Sequence, residues 1–330
     1  QCFTLMGDQD NAKAVLDFFK YRAKKSEGAF ANAYDTPTGK TVEYNVHSGP
    51  NIWLGIAIAQ YTKKFKDEEY LLVAEDIARW LIMLQNRDKD FGIRGGPKFE
   101  WFSIEHNLDA YAFFGMLYKI TEDDVYMEAQ NRTLDWLKKN SFSRLGYKLN
   151  RGKGDATIAT NTFAWAIAAI GPKLLKESGM DPEQIIDFAE TNCLVTVDYI
   201  KQKVEKVKIA GFDFEKYEHM ANGWVVSTEW TSQMIMLFRI MADYYKENRE
   251  FDKAGYYDKK ANFYLSEIEK MVISSPSRVG QGYGCLPYAT QDDVDTGHGW
   301  RVANGTRTGS TAGTAYAIFA KYNYNPLVLD

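Results

Sequence analysis

The chain has few cysteines, no excess of positive charge and no long apolar run, and each shortage excludes something. Cys2, Cys193 and Cys285 lie far apart among 330 residues. They form neither a CxxC metal pattern nor a dense disulfide framework, and any single disulfide would leave one over. A formal net charge of -4 argues against nucleic acid or an anionic membrane as the main partner, since both favour a concentrated basic surface. Apolar stretches are short and broken by charge, so no membrane span is expected. There is no P-loop, no dinucleotide fingerprint after a strand and no GxSxG elbow, and the glycines of "GQGYGC" read as a flexible loop. Nothing calls for a cofactor. Alternating strand patterns are missing as well, so helical periodicity has no competitor. The first residues, "QCFTLMGDQD", contain neither an initiator Met nor a signal peptide. They read as a processed or trimmed product and leave the compartment open between periplasmic or secreted and cytoplasmic.

What is present is apolar and aromatic. Apolar residues make up 45% and aromatics 15%, with 8 Trp and 21 Tyr, enough for a sizeable core. Such aromatic wealth suits a cleft that stacks on flat ligands and equally a large helical core. Helices are expected near 10–25, 51–65, 68–86, 105–120, 123–140, 159–171, 182–204, 228–246, 250–272 and 310–322. One kind is apolar all round, as in "NIWLGIAIAQY", "NTFAWAIAAIG", "EWTSQMIMLF" and "AGTAYAIFA", and must be enclosed. The other, as in "DEEYLLVAEDIARWLIMLQNRDKD", has one apolar stripe and one charged face. The two kinds alternate at roughly fifty to seventy residues, the mark of helical hairpins repeated around a centre. Five hairpins can be counted, in a single domain spanning 1–330.

The connectors are asymmetric. Inner-to-outer links such as "FKDE" and "ITEDD" are short. Outer-to-inner links, near 26–50, 87–104, 141–158, 205–227 and 273–309, exceed ordinary loop lengths and are candidates for function. All should lie where the inner helices start. Two of those starts repeat a motif, Ser-x-Glu, in "WFSIEHNLDAY" (Trp101–Tyr111) and "VVSTEWTSQMI" (Val225–Ile235). A Ser cap followed by an acid in the first turn satisfies free N–H groups and complements the helix dipole without any function. The polar company of Glu105, namely His106, Asn107 and Asp109, suggests more than a cap, because buried polar groups need partners that a bound sugar or water would supply.

A ring of hairpins with "SIEHNLDAY", "STEWTSQ" and the terminal "TGHGWRVANGTRTGSTAGTAYAIFAKYNYNPL" resembles the all-α (α/α) toroid of the six-hairpin glycosidase superfamily, in particular its bacterial members. The resemblance spans nearly the whole chain and rests on architecture rather than one enzyme's full motif. Five pairs depart from six. Either a sixth hairpin lies unseen or lost at the N-terminus, or the ring is of the five-pair kind found among polysaccharide lyases.

The resemblance implies glycoside hydrolysis, which uses two carboxyl groups flanking the scissile bond. Glu105 is the expected general acid, because an apolar neighbourhood with Trp101 would keep it protonated. Glu229 is the first choice of base and Asp292 or Asp295 the second; inversion of configuration is what the resemblance favours. His106 joins the catalytic candidates. Trp53, Trp101, Trp230 and Trp300 are the expected sugar platforms, with Trp165 and Trp224 at similar places, and Asn107, Asn161, His298 and Arg301 the expected polar partners. "DDVD" lacks the rest of a calcium-loop pattern, so no metal is expected. The rival chemistry is elimination on a uronate polymer, with His106 and Asn107 beside Tyr111 or Tyr288 and with Arg94, Lys98, Arg151 and Arg301 binding acid groups. A carbohydrate-binding protein without chemistry is the third reading. The absence of a DDxxD-like motif or zinc triad sets aside the terpenoid cyclases and prenyltransferases.

Overall fold

The computed structural model describes residues 1–143, 145–201, 205–215, 224–274, 283–302 and 309–329. Parts of the expected loops at 205–227 and 273–309, of the glycine run "GQGYGC" and of the terminal stretch used for the resemblance lie outside the described residues. The chain divides into two compact units: Gln1–Phe142 with Arg151–Ala156 and Pro326–Asp330, and Ser143–Asn150 with Thr157–Asn325.

In the first unit, α1 (Cys2–Met6) and α2 (Gln9–Asp17) lead into a π-helical turn, Phe18–Arg22. Two short hairpins follow, β1 (Lys25–Ser26) with β2 (Ala29–Phe30) and β3 (Ala33–Tyr34) with β4 (Thr41–Glu43). Then come α3 (Ser48–Phe65), α4 (Leu71–Gln85), α5 (Ile104–Thr121) and α6 (Asp124–Asn140). α3 packs on both α4 and α5, and α5 on α6. The short links are made by left-handed residues, Lys66 (φ 56°) after α3 and Glu122 (φ 58°) after α5, which end each helix abruptly and return the chain at once.

The second unit holds α7 (Thr160–Ile170), α8 (Pro172–Glu177), α9 (Pro182–Cys193), β5 (Leu194–Lys201), β6 (Glu205–Phe212), α10 (Thr228–Glu247), α11 (Phe251–Glu269), β7 (Ile273–Ser274), β8 (Tyr283–Cys285) and α12 (Thr311–Lys321). α10 packs against α7, α11 and α12. Every residue of α7 is buried, as the apolar run Phe163–Ile170 requires and with the polar Thr160, Asn161 and Thr162 enclosed at its start. α12 departs from that expectation: only Gly313, Phe319 and Ala320 are fully buried, so this apolar helix is covered on part of its surface.

The helix expected over 182–204 ends at Cys193, and the chain continues as an antiparallel hairpin from Leu194↔Phe212 to Lys201↔Glu205. "LVTVDYIK" is rich in β-branched residues, and along it Val195 and Tyr199 are buried while Leu194, Thr196, Asp198 and Ile200 are exposed. That alternation suits a half-buried strand, which the pairing with β6 completes.

One device recurs at the starts of the enclosed helices. The first four N–H groups of a helix have no partner within it. Here the N–H of the first residue is taken by a carbonyl from the long loop that follows: Ser48 to Gly95 (2.8 Å), Ile104 to Arg151 (2.9 Å), Thr160 to Phe214 (3.2 Å) and Thr228 to Tyr288 (3.1 Å). A polar side chain three residues further on grips the loop that precedes. The Asn51 amide accepts from Phe30 N–H and donates to Phe30 O, the Asn107 amide does the same with Ile93, and the Thr231 and Thr314 hydroxyls accept from Phe212 N–H and Leu286 N–H. Within each unit the long loops are thus tied to the helix starts, as the connector asymmetry implies.

Candidate active site at the helix starts

In the first unit, Ser103 is the extended N-cap of α5, and its hydroxyl accepts from His106 N–H at 3.3 Å. Glu105 is half-buried in the first turn. The His106 ring shares a 2.8 Å hydrogen bond through Nδ1 with the Ser48 hydroxyl. Its other nitrogen lies over Gly49, where an added Cβ would stand 2.4 Å away. Burial, with a smaller contribution from the nearby His47, lowers the pKa of His106 to about 4, so the ring is neutral at ordinary pH. Trp101 tilts against His106 (centroids 5.6 Å), His47 (5.8 Å) and Phe99 (5.6 Å). Trp53 donates from its indole N–H to the buried carboxyl of Asp109 at 3.0 Å.

In the second unit, Ser227 caps α10 in the same way, accepting from Trp230 N–H at 3.2 Å, and Glu229 is half-buried in the first turn. Trp230 is buried against Phe214 (5.0 Å) and His298 (5.1 Å). His298 donates from Nε2 to the Phe214 carbonyl at 2.9 Å, which assigns its proton because a carbonyl only accepts. Trp300 lies 5.6 Å from His298.

Two acids that sequence reading missed stand just beyond β6. Asp213 is fully buried and takes N–H bonds from Phe214 (2.7 Å) and Val225 (3.0 Å). Burial nevertheless raises its pKa to about 7, with Glu215 adding to the rise. Glu215 is buried two residues on, and Gly297 (φ 74°) is where a Cβ would collide with its carboxylate. The available signal was the alternation in "VKIAGFDFE", which puts both acids on one side of an extended segment.

Several expected sugar contacts turn out to be framework. Asn107 is buried, and its amide is spent on Ile93 and on the Ser103 carbonyl. Asn161 is buried in the first turn of α7, and Trp165 packs inside on Tyr316. Trp230 is likewise wall rather than platform. Side chains buried to this degree have no surface left for a ligand. Asp295 is exposed and accepts Gly297 N–H at 2.9 Å, shaping a turn, while Asp292 is exposed and acts electrostatically on Tyr199. The loop cations are each matched to an acid: Arg94 with Glu100 (2.8 Å), Arg151 with Asp155 (2.5 Å), Arg301 with Asp293 (2.6 Å) and Lys98 with Glu27. Tyr111 is buried, and Tyr288 packs on Phe214.

Of the tryptophans, Trp101 (46% exposed), Trp224 (50%) and Trp300 (44%) stay open to solvent. Trp101 lies two residues before the Ser103 cap, Trp224 three before the Ser227 cap, and Trp300 beside His298. A separate cavity of about 400 Å³ in the first unit, lined by Phe18, Phe19, Phe30, Tyr34, Asn32 and Asn51 among others, includes none of the expected site residues. Among the described residues no group of three or more His, Cys, Asp or Glu is placed to hold a metal ion, and no helix is long and apolar enough to cross a membrane.

No protein-family model matches the sequence, nor does any curated protein. Solved structures do. The chain is similar to a family 76 glycoside hydrolase (mannosidase) from Bacteroides thetaiotaomicron, with TM-score 0.56, 14% identity and coverage of 98% of this chain and 84% of the other. It is similar to the cellobiose 2-epimerase of Bacillus thermoamylovorans, with TM-score 0.61, 11% identity and coverage of 97% and 85%. A polysaccharide lyase matches with TM-score 0.55, 13% identity and coverage of 96% and 83%. The fold of the chain is that of the six-hairpin (α/α) toroids, and hydrolase, epimerase and lyase all use it.

Proposed function

We propose that this chain, built on the six-hairpin toroid fold, is a carbohydrate-processing enzyme that hydrolyses glycosidic bonds in a neutral oligo- or polysaccharide. The observation that carries the reading is the set of exposed tryptophans at the helix starts, above all Trp101. A large aromatic face left in water beside a polar cap is costly for a core residue and suited to stacking on a sugar ring. Glu105, in the first turn behind Trp101, is the preferred general acid: it would donate its proton to the leaving oxygen as the bond to the anomeric carbon breaks and water adds there. Glu229 is the preferred base and Asp292 the reserve; Asp295 is set behind them by its turn bond to Gly297.

Elimination on a uronate polymer is disfavoured on two counts. His106, its proposed base, has one ring nitrogen bonded to Ser48 and the other packed over Gly49. The cations that would bind the substrate's carboxylates already face acids of the chain. The test is a panel of neutral and uronate glycans, read for new reducing ends and for ultraviolet-absorbing unsaturated products. Reducing ends from a neutral glycan are expected. An unsaturated product from a saturated polyuronate would overturn the hydrolytic reading, and no turnover of any glycan would overturn the enzymatic one.

A further inference from the structure

His47 is the residue just before α3, in extended conformation (φ -99°, ψ 147°), and its side chain makes no cap. It is committed to Asn32 instead. Asn32 Oδ1 accepts the backbone N–H of His47 at 3.1 Å, which turns the amide nitrogen toward the ring: Asn32 Nδ2 stands 2.7 Å from His47 Nδ1 and 2.9 Å from Glu43 Oε1. An amide nitrogen only donates, so Nδ1 accepts, and the proton of the neutral ring resides on Nε2. Among the described residues Nε2 has no hydrogen-bond partner. The ring is half-buried between Phe99 (centroids 4.4 Å) and the exposed Trp101 (5.8 Å). Burial lowers its pKa despite the opposing influence of Glu43, and His106 is a further titratable group near it. A donor of fixed tautomer next to an exposed indole face is the pairing that orients a pyranose, with the indole taking the ring's apolar face and the N–H an oxygen at its edge.

We propose that His47 is a sugar-binding residue that donates from Nε2 to an oxygen of a pyranose stacked on Trp101, with Asn32 as the positioning residue that fixes its tautomer; this rests on the carbohydrate reading above. The tautomer is tested without any ligand, by long-range proton–nitrogen NMR on the intact chain. The Nε2–H form is expected at neutral pH. Asn32→Asp, which presents an acceptor to Nδ1, should draw a second proton onto the ring and move its titration upward. A wild-type ring carrying its proton on Nδ1, or charged at neutral pH, would overturn the proposal.

Binding is tested by titrating methyl α-mannoside and methyl β-glucoside while following the Trp101 indole and His47 ring signals. Both should move together. His47→Ala should weaken binding about three- to tenfold, the worth of one hydrogen bond, and His47→Gln, which keeps an N–H donor, should recover part of it. On any glycan the chain cleaves, the loss should fall on KM rather than kcat. If other signals move and these two do not, or if His47→Ala leaves KM unchanged, the His47 role fails while the hydrolase reading stands. If no glycoside perturbs any signal and no glycan is cleaved, the carbohydrate reading fails and takes this role with it.

Discussion

The starts of α5 and α10 are built to one plan and carry different cargo. Each has a Ser cap accepting from the third residue on, a half-buried Glu in the first turn, a first N–H taken by the following loop, and a polar residue gripping the preceding loop. Behind the α5 cap lie two neutral imidazoles and an open indole. Beyond the α10 cap lie a buried tryptophan, a histidine fixed on a backbone carbonyl and a buried acid pair. The shared part therefore belongs to the repeat, and the Ser-x-Glu motif by itself is a fold signal. Chemistry has to be sought in what differs between the two.

The sharpest way to break that comparison is to neutralise each Glu in turn. If Glu105 supplies the proton, Glu105→Gln should lower turnover of a neutral glycan by about 10²- to 10⁴-fold, with melting temperature little changed. Glu229→Gln should match it if Glu229 is the base. Kinetics with a melting curve separate a catalytic from a capping role, since loss of a dipole partner alone costs about 0.3–1 kcal/mol and leaves turnover near wild type. Two unaffected variants would reduce both motifs to caps.

Helix existence was legible because residues such as "NTFAWAIAAI" allow no other placement, and the observed bounds lie within a few residues of the expected ones except past Cys193. There the β5–β6 hairpin was hidden because Val195 and Tyr199 also satisfy a loose helical count, and only burial reveals which faces are covered. Reading 205–227 as loop then hid Asp213 and Glu215. The carboxylates and tryptophans proposed for the site could be named from the sequence, but their access could not. Asn107 and Trp230 look like ligand contacts in sequence and prove to be framework, because polarity does not reveal whether a group faces a ligand or the chain's own backbone. Asn51 and Asn107, both four residues past a cap position, were the pattern that could have told.

Asp213 sharpens the comparison from the second unit. Its folded pKa, about 7, lies above the ordinary 3.8, so the folded chain holds a proton that the unfolded chain releases. The unfolded state binds fewer protons across that interval, and stability accordingly falls as pH rises from about 4 to about 7, by about 4 kcal/mol at most. Asp213→Asn removes the titration. It also leaves one of two N–H groups unaccepted, a cost that does not vary with pH. Urea unfolding across this window should show a shallower decline in the variant, and identical slopes would contradict the raised pKa.

The loop grips come next in size. Asn107→Ala strands the N–H and carbonyl of buried Ile93 and should cost about 2–4 kcal/mol, whereas Thr231→Val removes the acceptor of the Phe212 N–H and a long 3.5 Å donation to the Phe212 carbonyl, which keeps the Ser227 N–H, and should cost about 1–2 kcal/mol. Denaturant midpoints at unchanged slope are the measure. Equal costs would mean that the short-bonded amide clamp adds nothing to the hydroxyl clamp, whose second bond is long.

The smallest expected effect tests the part the two starts share. Ser103→Ala and Ser227→Ala each remove one cap bond, 3.3 Å to His106 N–H and 3.2 Å to Trp230 N–H, and each should cost about 1 kcal/mol. The backbone bonds Ile104 to Arg151 and Thr228 to Tyr288 persist in both variants, so the loops should stay attached and the two costs should agree to within a few tenths. A difference would then have to come from the neighbours. His106 is held a second time, by Ser48, and Trp230 by Phe214 and His298. A cost at Ser227 well above that at Ser103 would show that the cap of α10 also holds the buried acid pair in place, and the two starts would no longer count as one device.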